Sequence, residues 1–222
     1  MTTKKGDSMR RIAIGLTALV VLLLGATGAH ASVVTSSGGV VYYIADQGEK
    51  NDVTVSSDTL FSGTVPVYTF KDNDAIPITI GGGPCELAVD GSAMCRQEFV
   101  GSFVIDLRDR DDTAQISTGG TSTIGPPRIG ALIIGGRGVD VEMGGLGNDI
   151  LKGNDGRDSL RGREGADTYK GGRGRDTLQT LDGAKDTFIS CGDGNDDFLR
   201  KDAIDPRGNH CEHSNHKNPS KP

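Results

Sequence analysis

The sequence predicts an all-β chain, a parallel β-roll (a β-solenoid) of nonapeptide repeats preceded by a short-stranded β region. Three observations predict it. Residues 135–179 repeat every nine residues in unbroken register. The segment before them reads as short β-branched and aromatic runs separated by Gly, Asp, Asn and Pro, with no helical period. Aromatic residues are few, six Phe and four Tyr with no Trp, so little is available to fill a large globular core.

The N-terminus is set aside first. Lys4, Lys5, Arg10 and Arg11 precede a mostly apolar run over 12–24, which gives way to small residues ending Ala29-His30-Ala31. That is the pattern of a secretory signal peptide cleaved before Ser32. The run is shorter than the roughly 20 residues a spanning helix needs. The expected organisation is a signal peptide over 1–31, a β-rich region over 32–103 that caps or extends the roll, the β-roll over 104–200, and a C-terminal cap with a disordered tail over 201–222. The expected location is extracellular, with no stable membrane insertion after cleavage. Without residues 1–31 the chain keeps 20 Lys and Arg against 29 Asp and Glu, a net charge of −9. Such a surface argues against nucleic acid and anionic membranes, which need a basic footprint, and suits cations.

In the β-rich region the runs Val40–Ile44, 53–56, 65–70 and 76–80 read as strands. Strands 103–105 and 114–117 flank a charged turn over 106–112, a Gly/Thr/Ser/Pro loop covers 118–128, and a short strand over 131–134 leads into the repeats. Four cysteines in an exported chain imply disulfides, with three possible connectivities. Proximity in sequence favours Cys85–Cys95 and Cys191–Cys211, and Asp90-Gly91 is a hairpin signal that would set the first pair opposite each other.

The five units are GGRGVDVEM, GGLGNDILK, GNDGRDSLR, GREGADTYK and GGRGRDTLQ. Gly135, Gly144, Gly153, Gly162 and Gly171 open them, and Gly138, Gly147, Gly156, Gly165 and Gly174 hold the fourth position. Asp140, Asp149, Asp158, Asp167 and Asp176 hold the sixth. The eighth is apolar or aromatic in four units, Leu151, Leu160, Tyr169 and Leu178; Glu142 breaks the rule in the first, which marks that unit as a partly formed cap. Nine residues suffice for one tight turn and one very short strand, so two units complete a flattened coil. A single unit cannot bury its apolar residue and must stack on its neighbours.

Turns eighteen residues apart then share an edge at the inter-strand spacing of about 4.8 Å. That is roughly twice a calcium–oxygen distance of about 2.4 Å, so an ion between stacked turns takes oxygen ligands from both. Asp140, Asp158 and Asp176 would line one edge, Asp149 and Asp167 the other, with Asp140 at the end of its row serving one site and Asp158 two. Carboxylates so placed repel by roughly 1–3 kcal/mol per pair without the ion. Their hard oxygens suit calcium rather than zinc or copper.

The Gly-Gly-x-Gly-x-Asp-x-apolar-x pattern resembles the haemolysin-type, or repeats-in-toxin (RTX), calcium-binding nonapeptide. The resemblance implies a parallel β-roll that folds as calcium binds. Degenerate units extend it over 181–199. Residues 181–189 keep Asp186 and Phe188 at positions six and eight, and 191–199 keep Gly194, Asp196 and Phe198 with Cys191 in place of the first glycine. The expected metal ligands are therefore Asp140, Asp149, Asp158, Asp167, Asp176, Asp186 and Asp196. Upstream, Arg108-Asp109-Arg110-Asp111-Asp112 is a similar turn with arginine at both glycine positions, and no ion is expected there.

Other constellations are weaker. Asp193-x-Asn195-x-Asp197 begins like an EF-hand loop, but Phe198 stands where the turn glycine is needed and Ile204 where the bidentate Glu belongs. His210, His213 and His216 are read as a solvated tail, with Cys211 in a disulfide. The chain has no His-Glu-x-x-His, no Gly-x-Ser-x-Gly and no Gly-Lys-Ser/Thr, so no enzyme is expected. A second possible role is adhesion, in which residues 32–103 meet an extracellular glycan or cell-surface partner and the roll is a stiff spacer.

Overall fold

The computed structural model describes residues 31–60, 65–74, 77–117 and 128–217. The expected signal peptide and most of the 118–128 loop lie outside them. Among the described residues the regular structure is β-strand apart from one 3-10 turn at Gln97–Phe99. The N-terminal part holds β1 (Ser32–Ser37), β2 (Val40–Ile44), β3 (Asp52–Leu60), β4 (Val65–Asp72), β5 (Ile78–Gly82), β6 (Cys85–Leu87), β7 (Ala93–Arg96), β8 (Ser102–Asp106) and β9 (Thr113–Ile116). The repeats supply β10 (Ala131–Gly138), β11 (Val141–Met143), β12 (Ile150–Gly156), β13 (Ser159–Arg161), β14 (Thr168–Arg173), β15 (Thr177–Thr180), β16 (Phe188–Gly192), β17 (Phe198–Asp202) and β18 (His213–Lys217).

From β7 to β17 successive strands alternate between two sheets. One runs β16-β14-β12-β10-β8-β2-β1-β5 and the other β18-β17-β15-β13-β11-β9-β3-β4-β7-β6. From β2 and β3 onward all pairings toward the C-terminus are parallel, and through the repeats they set residues eighteen apart side by side, Leu132 with Ile150 and Val141 with Ser159. The chain is thus an all-β parallel roll. Both sheets pass without a break from the N-terminal strands into the repeats, and position 103, the expected boundary, falls inside β8.

Strand periodicity sets what is buried. In β8 and β9 every second side chain faces inward, Phe103, Ile105, Ala114 and Ile116 among them. An N-terminal core gathers Val34, Val41, Tyr43, Phe70 and Ile133, with Phe103 edge-on to the rings of Tyr68 and Phe70 at 5.0 and 5.3 Å. A second, narrower core holds Leu151, Leu160, Tyr169, Leu178, Ile189, Cys191 and Leu199. Burying a Leu or Ile side chain is worth about 1.5–3 kcal/mol, so a line of one per strand stabilises the roll modestly.

Both disulfides form as expected. Cys85 and Cys95 face each other across antiparallel β6 and β7, joined by a turn at Asp90-Gly91 whose Asp90 Oδ1 accepts from the Ser92 amide at 3.1 Å. Cys191–Cys211 ties the last coils together.

Three expectations are corrected. Phe188 and Phe198 do not enter the core; Ile189 pairs with Tyr169 and Leu199 with Leu178, and they are the buried residues. One inserted residue in each degenerate unit moves the inward position by one. The tail past Cys211 is not disordered from there on, since β18 adds a parallel strand to β17, Phe198 opposite His213. The disulfide delivers the chain to that sheet edge, where pairing groups are open. Finally, Asp140 is not the end of its row, because a coil through Asp112 stacks on it.

Candidate metal centre

Each turn of the roll aims the backbone amide of one aspartate at a carboxylate in the next coil. On one edge the Asn51 amide donates to Asp112 Oδ1 (2.7 Å), Asp112 to Asp140 (3.0 Å), Asp140 to Asp158 (3.0 Å), Asp158 to Asp176 (2.9 Å) and Asp176 to Asp197 (2.7 Å). Glu212 Oε2 closes the row by accepting from Asp197 at 2.9 Å. On the other edge Ala131 donates to Asp149 (2.8 Å), Asp149 to Asp167 (2.8 Å), Asp167 to Asp186 (3.0 Å) and Asp186 to Asp205 (3.1 Å). One oxygen of every ladder aspartate is therefore spent on holding the coil before it.

At six of them the second oxygen is left over, while Asp149 Oδ2 accepts from the Gly145 amide at 2.7 Å and Asp167 Oδ2 from the Tyr169 hydroxyl at 3.4 Å. Oδ2 of Asp112, Asp140, Asp158, Asp176, Asp186 and Asp197 is buried with no hydrogen-bond partner, and these residues are nearly or fully enclosed. Each first-position glycine makes room for that oxygen. A Cβ on Gly135, Gly144, Gly153, Gly162 or Gly171 would press on Oδ2 of the aspartate in its own unit. At Gly153 it would also stand 2.7 Å from the Gly171 carbonyl oxygen, and at Gly144 2.6 Å from that of Gly162. The fourth-position glycines serve the stack. A Cβ on Gly138, Gly156, Gly165 or Gly174 would strike a carbonyl oxygen of the preceding coil, and one on Gly147 would meet the Ile129 carbonyl. Gly174 adopts φ +124°, which disfavours any other residue.

Burial in this row disfavours the charged carboxylates and raises their pKa values from 3.8. Asp140, Asp149 and Asp158 are pushed up to about 6. Asp112, Asp176 and Asp186 reach about 7, and Asp167 about 8. Neighbouring aspartates add to the rise at Asp112, Asp158, Asp167, Asp176 and Asp186.

The seven expected ligands divide six to one. Asp140, Asp149, Asp158, Asp167, Asp176 and Asp186 all stand in the two rows. Asp196 does not; it is exposed at φ +64°, with Oδ1 3.6 Å from His213 Nε2, and its neighbour Asp197 occupies the row. Besides Asp197 and Glu212, three residues outside the expected set belong to the arrangement. Asp112 takes a ladder position because Arg108 and Arg110 adopt the left-handed φ values of 68° and 90° that glycine would supply. Asp205 ends the second edge. Asp182 brings a carboxylate oxygen to those of Asp167 and Asp186, all three within 4.8 Å of one another. Asp197 and Asp182 carried a signal in sequence as acidic residues inside degenerate units, and Asp112 as the last residue of an arginine-substituted turn not expected to bind an ion.

The donor set fits a hard divalent cation. It is all oxygen, it joins orphaned carboxylate atoms to backbone carbonyls in a cradle that a Cβ would fill, and it offers no thiolate or imidazole. Residues 143–178 match the family model described as the RTX calcium-binding nonapeptide repeat, in four copies. No curated protein and no solved structure matches the chain.

Proposed function

The chain carries an RTX calcium-binding nonapeptide-repeat segment, and from that premise we propose that it is a secreted calcium-binding protein whose roll is driven or stabilised by ions held between stacked turns. The observation that carries this reading is the row of buried, partnerless Oδ2 atoms along the edge of Asp112, Asp140, Asp158, Asp176 and Asp197, with that of Asp186 on the other edge. Asp140, Asp149, Asp158, Asp167, Asp176 and Asp186 would hold the ions, with Asp197 in place of Asp196 and Asp182 as an added ligand beside Asp167 and Asp186. Bound calcium supplies the positive charge that turns repulsion between stacked carboxylates into shared coordination. The protein's own part is to fix one oxygen of Asp140, Asp158, Asp176, Asp186 and Asp197 on a backbone amide, so that the other is already aimed.

Residues 32–103 act in this reading as an extension of the roll, supported by the sheets they share with the repeats. Secretion rests on the charged, apolar and small-residue sequence of 1–31 and on two disulfides, which suit an oxidising compartment. No helix among the described residues is long and apolar enough to cross a membrane. A second role, adhesion to a glycan or cell-surface partner, is favoured by one feature. A groove of about 340 Å³ on the outer face of the first sheet is lined by Val40, Tyr42, Val104, Leu132 and Ile150.

Far-UV circular dichroism tests the calcium reading. The chain is measured in EDTA and then with calcium raised to about 10 mM, a range that covers weak extracellular sites. A gain of β signal with calcium and not with magnesium is expected. A β signal indifferent to both would leave a disulfide-held β protein and favour adhesion.

A further inference from the structure

The eighth position of a unit faces the interior, and in the first unit it is Glu142. The side chain is fully buried, and neither Oε1 nor Oε2 has a hydrogen-bond partner. It lies in β11, between Ala114 of β9 and Leu160 of β13. Ala114 belongs to the N-terminal core and Leu160 to the repeat core. The apolar interior is thus interrupted by a carboxylate where its two halves meet.

Such a group is costly without a counter-charge. Moving a carboxylate out of water carries a penalty of several kcal/mol unless it is paired. The charges that act on Glu142 are Asp158 and Asp140, both of the same sign, and with burial they push its carboxyl well above the usual range. The amides of Gly135 and Lys152 pull the other way, but neither reaches hydrogen-bonding geometry. A neutral acid would fare little better, since its O–H also needs an acceptor.

Its neighbours show where the oxygen is aimed. A Cβ on Gly135 would meet Oδ2 of Asp140 and, at 2.9 Å, Oε1 of Glu142. In the units of Gly144, Gly153 and Gly171 the second oxygen at the corresponding place is a backbone carbonyl, from Gly162, Gly171 and Cys191. In the unit of Gly162 it is the Tyr169 hydroxyl. A full carboxylate occupies that place in the first unit.

We propose that Glu142 is a ligand for a divalent cation at the first turn, adding an inward carboxylate beside that of Asp140. The inference rests on the calcium reading above and goes beyond it, because the eighth position of the repeat is an apolar core position with no part in metal binding. Glu142 adds negative charge where the units of Gly144, Gly153 and Gly171 offer a carbonyl oxygen, so this site fills before theirs. It also joins the two cores, because the cation neutralises a carboxylate buried at their junction.

The test is native mass spectrometry of the full chain during a calcium titration, with Glu142→Leu and Glu142→Gln beside the wild type. Terbium luminescence of the same samples reports the first site to fill. Glu142→Leu restores the apolar residue of the other units and is expected to fold with calcium. It should bind one ion fewer, or bind the first ion about tenfold more weakly or worse, since even partners one layer removed from a metal change affinity by about 10- to 100-fold. Glu142→Gln should weaken the same ion, and it decides the matter if the leucine variant does not fold. Unchanged ion count and unchanged first affinity in the variants would overturn the proposal while leaving the calcium reading intact. A wild-type chain that binds no ion would overturn both.

Discussion

Asp197 Oδ1 accepts the amide of Asp176 at 2.7 Å across twenty-one residues, where the inner repeats span eighteen. The ladder therefore continues past the regular units, and it continues through the second of two adjacent aspartates.

Asp197→Asn should weaken calcium binding at that end of the roll, while Asp196→Asn should leave it close to wild type. The first loses a buried carboxylate with a partnerless oxygen, and the second an exposed one beside His213. Calorimetric titration of the two variants gives the comparison. A larger loss with Asp196→Asn would put the register out by one.

Stability without calcium should fall as pH rises. Burial raises the pKa values of Asp112, Asp140, Asp149, Asp158, Asp167, Asp176 and Asp186 to about 6 to 8 in the folded chain, from 3.8. Between those values the folded chain holds more protons than the unfolded one, so the stabilisation is complete below about pH 4 and lost as pH climbs through 6 to 8. Calcium competes with those protons, so its affinity should rise over the same window. Thermal midpoints in EDTA and in calcium at pH 5 and pH 8 check both signs. An EDTA midpoint higher at pH 8 would contradict the burial of these groups.

Gly153→Ala should remove an ion without unfolding the N-terminal core. The new Cβ would stand against Asp158 Oδ2 and 2.7 Å from the Gly171 carbonyl oxygen. Ion counting by mass spectrometry, with the tyrosine near-UV signal as a monitor of packing, tells the two effects apart. An unchanged ion count would mean that the glycine cradle is not where the cation sits.

Reducing agent should lower the unfolding midpoint of the calcium-loaded chain, each disulfide being worth about 2–4 kcal/mol. Cys211→Ser alone should account for part of that loss and should also release β18, measured as faster amide exchange over 213–217. Equal midpoints with and without reductant would mean that neither crosslink limits unfolding.

The regular repeats were legible in sequence because their period is constant. Where nine residues recur, the glycine, aspartate and apolar positions lock together, and a parallel sheet places residues eighteen apart side by side. The degenerate units were not, since spacings of nineteen between Asp167 and Asp186 and twenty-one between Asp176 and Asp197 come from insertions that only strand pairing locates. Hydrophobicity then points to Phe188 and Phe198, whereas register selects Ile189 and Leu199. The turn ending at Asp112 was visible, but its two arginines spoke against it, and only the backbone shows Arg108 and Arg110 at the left-handed φ that glycine would supply. The pairing of β2 with β8 and of β3 with β9 spans some sixty residues and has no local signal at all.

The antiparallel strands at the N-terminal end have a consequence for length. A coil made by repetition has no intrinsic stopping point, and any exposed parallel edge can template one more turn. Ahead of β2 the chain reverses into β1, and ahead of β3 into β4 and the crosslinked β6–β7 hairpin. The molecule is a screw with a head at one end and thread at the other. Further nonamers inserted behind β11 lengthen the thread in step, while none can be added ahead of β2 without removing the head.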